Sequence, residues 1–125
     1  MHRIPALVAA AGALALLAGC GDDDAASGVE DGTRSDGTVV VVAEDVGFGA
    51  DAYEAEAGTV SFEYVNEGAI PHTLLVEGVD DFKLSVGSRG DADEGDVELE
   101  AGSYQLICDV PGHEQAGMVA VLEVR

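Results

Sequence analysis

The chain has 125 residues, with 25 acidic side chains against five basic ones and a formal charge of −20. Negative charge on this scale excludes nucleic acid as a partner, because phosphate backbones are bound through Lys and Arg. Two cysteines allow at most one disulfide, so the chain is not a disulfide-built scaffold.

His2 and Arg3 make a weakly basic start, and residues 6–18, thirteen positions, are almost entirely apolar. That run is too short for a permanent bilayer anchor, so it reads as a cleaved export signal. It ends at Leu17-Ala18-Gly19-Cys20, followed by Gly21 and three aspartates. These residues resemble the lipobox of bacterial lipoproteins. The resemblance implies cleavage before Cys20 and acylation of its thiol; the plainer alternative is an ordinary signal peptide cut near Ala18 or Gly19. The expectation is a lipoprotein signal peptide over residues 1–19 and an exported protein. Its lipid would hold it at a membrane surface, on the outer face of the cell membrane or in the periplasm. With Cys20 used in this way, Cys108 is left as an unpaired thiol outside the cell. Metal ligation is a reason for such a thiol to persist, since it ties up the thiolate that would otherwise oxidise.

Residues 21–37 contain five aspartates, many Gly, Ser and Ala, and Val29 as the only β-branched aliphatic residue. Such a segment buries too little surface to offset its ordering entropy. Residues 20–37 are therefore expected to be a lipidated cysteine with a flexible acidic tether, and residues 38–125 a single small domain. From Cys20 onward 25 acidic residues face four basic ones, a formal charge of −21. The acids are spread over tether, turns and strand faces, which favours bulk solubility, as in salt-rich habitats, over the steering of a basic partner.

Within the domain, residues 38–43 form a β-branched run that predicts a buried first strand. Val46-Gly47-Phe48 continues or bends it, and residues 51–57 alternate weakly through Tyr53, Ala55 and Ala57. Residues 59–65 alternate well, with Val60, Phe62 and Tyr64 on one side. Asn66-Glu67-Gly68 closes that strand, and residues 73–76 form the next. Phe82, Leu84 and Val86 predict a short edge strand, after which residues 87–95 read as polar loop. Val97-Glu98-Leu99 is a brief strand, Ala101-Gly102 a turn, and residues 103–107 and 118–124 are the last two strands. No helical period persists for three turns beyond the leader. About seven short strands with Gly-rich turns predict an all-β antiparallel sandwich.

The most informative stretch is Cys108-Asp109-Val110-Pro111-Gly112-His113-Glu114-Gln115-Ala116-Gly117-Met118. A thiol, an imidazole and a thioether recur there at five-residue intervals between two strands. Pro111-Gly112 and Gly117 let the loop fold back so that the three converge. His72, behind Pro71 and 36 residues before Cys108, supplies a second imidazole from a neighbouring strand. Two His, one Cys and a Met make the mixed nitrogen and sulfur set of a blue-copper electron-transfer centre. A structural zinc site from His72, Cys108 and His113 is the weaker alternative, because Met is a poor zinc ligand. Tyr53, Tyr64 and Tyr104 read as packed aromatics.

The chain resembles a small cupredoxin, a blue copper protein of the plastocyanin, azurin and rusticyanin kind. The resemblance rests on Ala57-Gly58-Thr59-Val60-Ser61-Phe62, Asn66-Glu67-Gly68-Ala69-Ile70-Pro71-His72, Gly102-Ser103-Tyr104 and the run from Cys108 to Met118. It implies a Greek-key β-sandwich holding one Cu(I)/Cu(II) ion at a type 1 site. His72, Cys108 and His113 would be the equatorial ligands and Met118 the weak axial one. It further implies an apolar rim, for which Ile70, Pro71, Pro111 and Ala116 are the candidates, and electron passage through the edge of His113. The spacing from Cys108 to His113 is longer than in plastocyanin and resembles that of rusticyanin. Thr73 stands where plastocyanins usually have Asn, and its hydroxyl can still tie the two ligand loops together.

A complete ligand set leaves no position for substrate, so an enzyme is not expected. The function read from the sequence is a membrane-tethered one-electron carrier, monomeric, working between a redox donor and an acceptor protein. The alternative is a copper-binding protein that stores copper or delivers it to an oxidase. Delivery sites favour exposed, Met-rich ligands, and Met118 is the single Met after the leader.

Overall fold

The computed structural model describes residues 29–125; the expected signal peptide over residues 1–19 and the expected lipidation at Cys20 lie outside the described residues. Ten strands and no helix make up the described chain: β1 (Gly32–Thr33), β2 (Val39–Glu44), β3 (Gly47–Phe48), β4 (Ala52–Ala55), β5 (Gly58–Asn66), β6 (His72–Val76), β7 (Lys83–Val86), β8 (Ala92–Leu99), β9 (Gly102–Ile107) and β10 (Val119–Val124). One sheet runs β1-β2-β5-β8, with β3 added on β2; the other runs β4-β10-β9-β6-β7.

Alternation explains which faces meet. Val60, Phe62 and Tyr64 of β5 and Ala120, Leu122 and Val124 of β10 point inward, and all six are buried. The valine run of β2 is buried throughout; Val39, Val41 and Ala43 join the common core while Val40 and Val42 are covered on the other face. Phe62 and Phe82 pack with ring centroids 5.2 Å apart, linking β5 to the segment before β7.

The sandwich is all-β, as the sequence predicts, but its pairing is mixed and not purely antiparallel. β2 lies parallel to β5, with Val41 opposite Tyr64, and β10 lies parallel to β4, with Leu122 opposite Tyr53. Parallel neighbours need long crossover connections, and here the chain between β2 and β5 passes through β4 of the other sheet.

Two further expectations are corrected. The polar stretch before Val97 is not a loop from 87 to 95: β8 begins at Ala92 and pairs with β5 along eight residues. Its inward positions include Asp93 and Gly95, which hide the alternation. The Asp93 carboxylate accepts the Ser85 N–H of β7 at 3.0 Å, and Gly95 makes room for Leu84 and Phe82. Nor is residue 37 the end of a tether. β1 pairs with β2, Thr33 opposite Val39, and the turn between them is closed by Asp36 accepting the Thr38 N–H at 2.9 Å. Asp31 fixes the segment from below: one carboxylate oxygen accepts the Val42 N–H at 2.8 Å and the Tyr53 hydroxyl at 2.6 Å. Side chain to backbone bonding, not apolar burial, orders this stretch.

Asp31→Ala is therefore expected to destabilise the protein by about 1–3 kcal/mol, since it strands a buried phenol and a strand N–H. Urea unfolding monitored by tyrosine fluorescence measures this, and an unchanged midpoint would return residues 29–37 to the tether. Asp91 gives a pH-dependent counterpart. The N–H groups of Ser88 and Gly87, at 2.8 and 3.0 Å, hold its carboxyl below the ordinary range. A depressed folded value adds stability that is complete above the unfolded value and lost as pH falls through the folded one. Asp91→Ala should thus be less stable than wild type at neutral pH, with the gap closing below about pH 4.

Candidate metal centre

The pairing of β6 with β9 builds the site. Leu75 lies opposite Ile107 and Val76 opposite Leu106. Continuing that antiparallel register sets Leu74 opposite Cys108 and Thr73 opposite Asp109, so that His72, one residue further, lies beside the start of the loop that follows β9. Backbone hydrogen bonding alone has thus brought together two ligand candidates 36 residues apart in the sequence.

The third comes from the loop between β9 and β10. The His113 N–H bonds to Val110 O at 3.0 Å, and the Ala116 and Gly117 N–H groups bond back into the same turn. Gly112 and Gly117 have φ of 87° and 111°, backbone conformations that side chains with a Cβ rarely adopt. These two positions fold the loop over so that His113 faces Cys108. The Met118 N–H then donates to His113 O at 3.0 Å, and the Cys108 N–H donates to Met118 O at 3.3 Å. Met118 is fully buried.

The side chains converge. His72 Nδ1 lies 3.2 Å from His113 Nδ1, and Cys108 Sγ lies 3.6 Å from the same nitrogen. The donor atoms of His72, Cys108 and His113 all lie within 4.8 Å of one another. Donor atoms so spaced can share one ion at metal distances of about 2.0–2.3 Å, the usual values for imidazole nitrogen and thiolate sulfur. His72 and Cys108 are buried, whereas His113 is partly exposed. Ile70, Pro71, Pro111 and Ala116 are all exposed on the two ligand-bearing loops, as a rim requires. A further exposed apolar side chain, Val46, belongs to the turn between β2 and β3.

The sulfur sits in a polar frame. The Thr73 N–H points at Cys108 Sγ at 3.4 Å and the Thr73 hydroxyl lies 3.5 Å from it. The same hydroxyl accepts the Asp109 N–H at 2.9 Å and donates to the Asp109 carboxylate at 2.6 Å. Lys83 reaches that carboxylate at 2.8 Å from β7. Lys83 first, and Thr73 second, hold the Asp109 carboxyl below its ordinary range. The hydroxyl therefore does tie the ligand loops together, with Asp109 as its partner. Below the site the Tyr64 hydroxyl donates to Thr73 O at 3.0 Å, and burial pushes its phenol above the ordinary value. Tyr53 is likewise raised, by burial and by Asp31, so both are packed, neutral aromatics.

One residue beside the cluster carries no sequence motif. Asp45, in the turn between β2 and β3, places Oδ1 2.8 Å from His72 Nε2 and accepts the Ala69 N–H on Oδ2 at 2.7 Å. The Ala69 N–H, and then His72, hold its carboxyl below the ordinary range. A carboxylate behind a histidine is a common companion of metal-binding imidazoles, but 27 residues separate the two here.

Thr73→Val removes the latch while keeping the backbone N–H on Cys108. The expected result is a loss of about 1 kcal/mol in stability with faster hydrogen exchange at the Asp109 amide; unchanged exchange would mean that the strand pairing alone holds the loop.

No protein-family model matches the sequence, and no curated protein matches it. Solved structures do match. A dithionite-reduced auracyanin from the photosynthetic bacterium Roseiflexus castenholzii superposes with a TM-score of 0.61 at 16% identity, over 70% of this chain and 96% of that one. Auracyanin B superposes with a TM-score of 0.57 at 22% identity, over 79% of this chain and 95% of that one. Both neighbours are matched along nearly their whole length, and the fold of this chain is that of the cupredoxins.

Proposed function

We propose that this chain is a type 1 copper protein that carries single electrons between redox proteins while tethered to a membrane through Cys20. The observation that carries the reading is the convergence of His72 Nδ1, His113 Nδ1 and Cys108 Sγ, with buried Met118 bonded through its backbone to both His113 and Cys108. Thiolate and thioether suit copper(I) and imidazole suits copper(II), so bound copper at such a set supplies a one-electron couple.

The chain's own residues supply the rest. His72, Cys108 and His113 would be the strong ligands and Met118 the weak one. β6, β9 and the closed loop at residues 108–118 hold them in one arrangement, so gain or loss of an electron demands little movement of protein. The Thr73 N–H takes up part of the thiolate's negative charge. Burial of His72 and Cys108 keeps water from the sulfur, and the partly exposed His113 offers a short way out to a partner docked on the rim. That burial also favours a carrier over a delivery protein, whose ligands must be reached by the acceptor of the metal. An ion so enclosed has no room for substrate, which supports a carrier and not an enzyme.

The test is the visible and paramagnetic-resonance spectrum of the protein loaded with copper(II) and titrated with reductant. An intense thiolate charge-transfer band, narrow copper hyperfine splitting and bleaching by one electron equivalent are expected. Cys108→Ser should abolish the band. A colourless wild-type protein with an ordinary tetragonal signal would refute the type 1 reading.

A further inference from the structure

His72 is completely enclosed, and each of its ring nitrogens has one neighbour: Nδ1 faces His113 Nδ1, and Nε2 faces Asp45 Oδ1 at 2.8 Å. An ionised carboxylate only accepts hydrogen bonds, so the proton of a neutral His72 belongs on Nε2 and the lone pair on Nδ1. The carboxylate is itself pinned. The Ala69 N–H holds its second oxygen, and Gly68 packs so closely that a Cβ there would collide with it. Buried Asn66 locks the loop from inside, donating to Ile70 O and accepting the Gly68 N–H, each at 2.9 Å. The turn after β2 and the loop before β6 are thus built around one contact.

We infer that Asp45 is a positioning residue of the centre: it fixes His72 as the Nε2–H tautomer and sets a negative charge behind the ring, so that a bare Nδ1 is presented to the metal. The inference rests on the copper reading only for its effect on potential. Behind a ligating imidazole, a carboxylate makes the ring a stronger donor, which favours the higher oxidation state.

The test compares the full-length wild type with Asp45→Asn and Asp45→Ala. Histidine ring nitrogens are read first by long-range proton–nitrogen NMR on the metal-free protein. A single Nε2–H tautomer is expected for His72 in wild type and in Asp45→Asn, whose amide oxygen still accepts the bond, and a mixture in Asp45→Ala. With copper loaded, both variants should show a raised reduction potential. The charge is expected to shift the copper(I)-to-copper(II) affinity ratio about tenfold, roughly 59 mV for one electron. Asp45→Ala should additionally bind copper(II) about 10–100-fold more weakly. A wild-type His72 protonated on Nδ1, or an unchanged tautomer in Asp45→Ala, overturns the positioning role, and an unchanged potential in Asp45→Asn overturns the charge. Should Asp45→Ala fail to fold, the wild-type tautomer and the Asp45→Asn potential still decide. A wild type without a charge-transfer band would refute the copper reading, whereas the metal-free NMR would still judge Asp45.

Discussion

The antiparallel pairing of β6 with β9 is the contact on which the rest of the site depends. It sets Thr73 opposite Asp109 with His72 and Cys108 close by, and the short loop closed by β9 and β10 has only to bring in His113 and Met118. Both strands are central in their sheet, flanked by β7 and β10, so their positions are over-determined by neighbours on each side. A side-chain cluster held by sheet register is fixed by the fold itself, because a slip of one residue would turn every inward side chain outward. Leu74, Val76 and Leu106, all buried, forbid that slip. The candidate ligands are therefore positioned by the same hydrophobic alternation that builds the core.

Acidity, which looks like a burden on a fold this small, is partly spent inside the architecture. Asp31, Asp36, Asp45, Asp91 and Asp93 each accept a hydrogen bond from a backbone N–H. Three of them close turns or tie loops where the chain lacks apolar side chains to do so. Charge-assisted bonds of this kind are stronger than neutral ones. For Asp36, Asp45 and Asp91 the backbone donor is the largest cause of a lowered carboxyl value. The excess of aspartate thus has a structural component alongside any effect on solubility, and the stability it brings is lost in acid as those carboxyls protonate.

The candidate ligands were legible in the sequence because their chemistry is rare. A lone thiol, an imidazole and a thioether at fixed spacing after an alternating strand leave few readings, and His72 behind Pro71 follows. The strong strands were legible for the same reason, since Val60, Phe62 and Tyr64 carry an unbroken period of two. What stayed hidden is held by polar contacts without a period. β1 is two residues long and depends on Asp31 reaching Val42 and Tyr53. The first half of β8 turns Asp93 and Gly95 inward, so its alternation vanishes although its pairing with β5 is complete. Parallel pairing of β2 with β5 is set by the long crossover between them, which local pattern does not record. Asp45 looks like any acidic turn residue until the fold lays it against His72.

Asp45 and Thr73 act on opposite sides of the same centre and in opposite senses. The Thr73 N–H draws negative charge from the sulfur of Cys108, which favours the reduced state of a bound copper, while the Asp45 carboxylate returns negative charge through His72, which favours the oxidised one. Distance and burial weight the two differently. Thr73 acts on a buried sulfur directly, where screening by water is weak, whereas Asp45 is one-third exposed and acts through a ring. Lys83 shifts the balance again by neutralising Asp109, the carboxylate next to the thiol in sequence. Ligand identity alone would therefore not fix the potential of copper held here; that would also depend on which N–H groups and carboxylates the loops before β6 and after β9 bring against the sulfur and the buried imidazole.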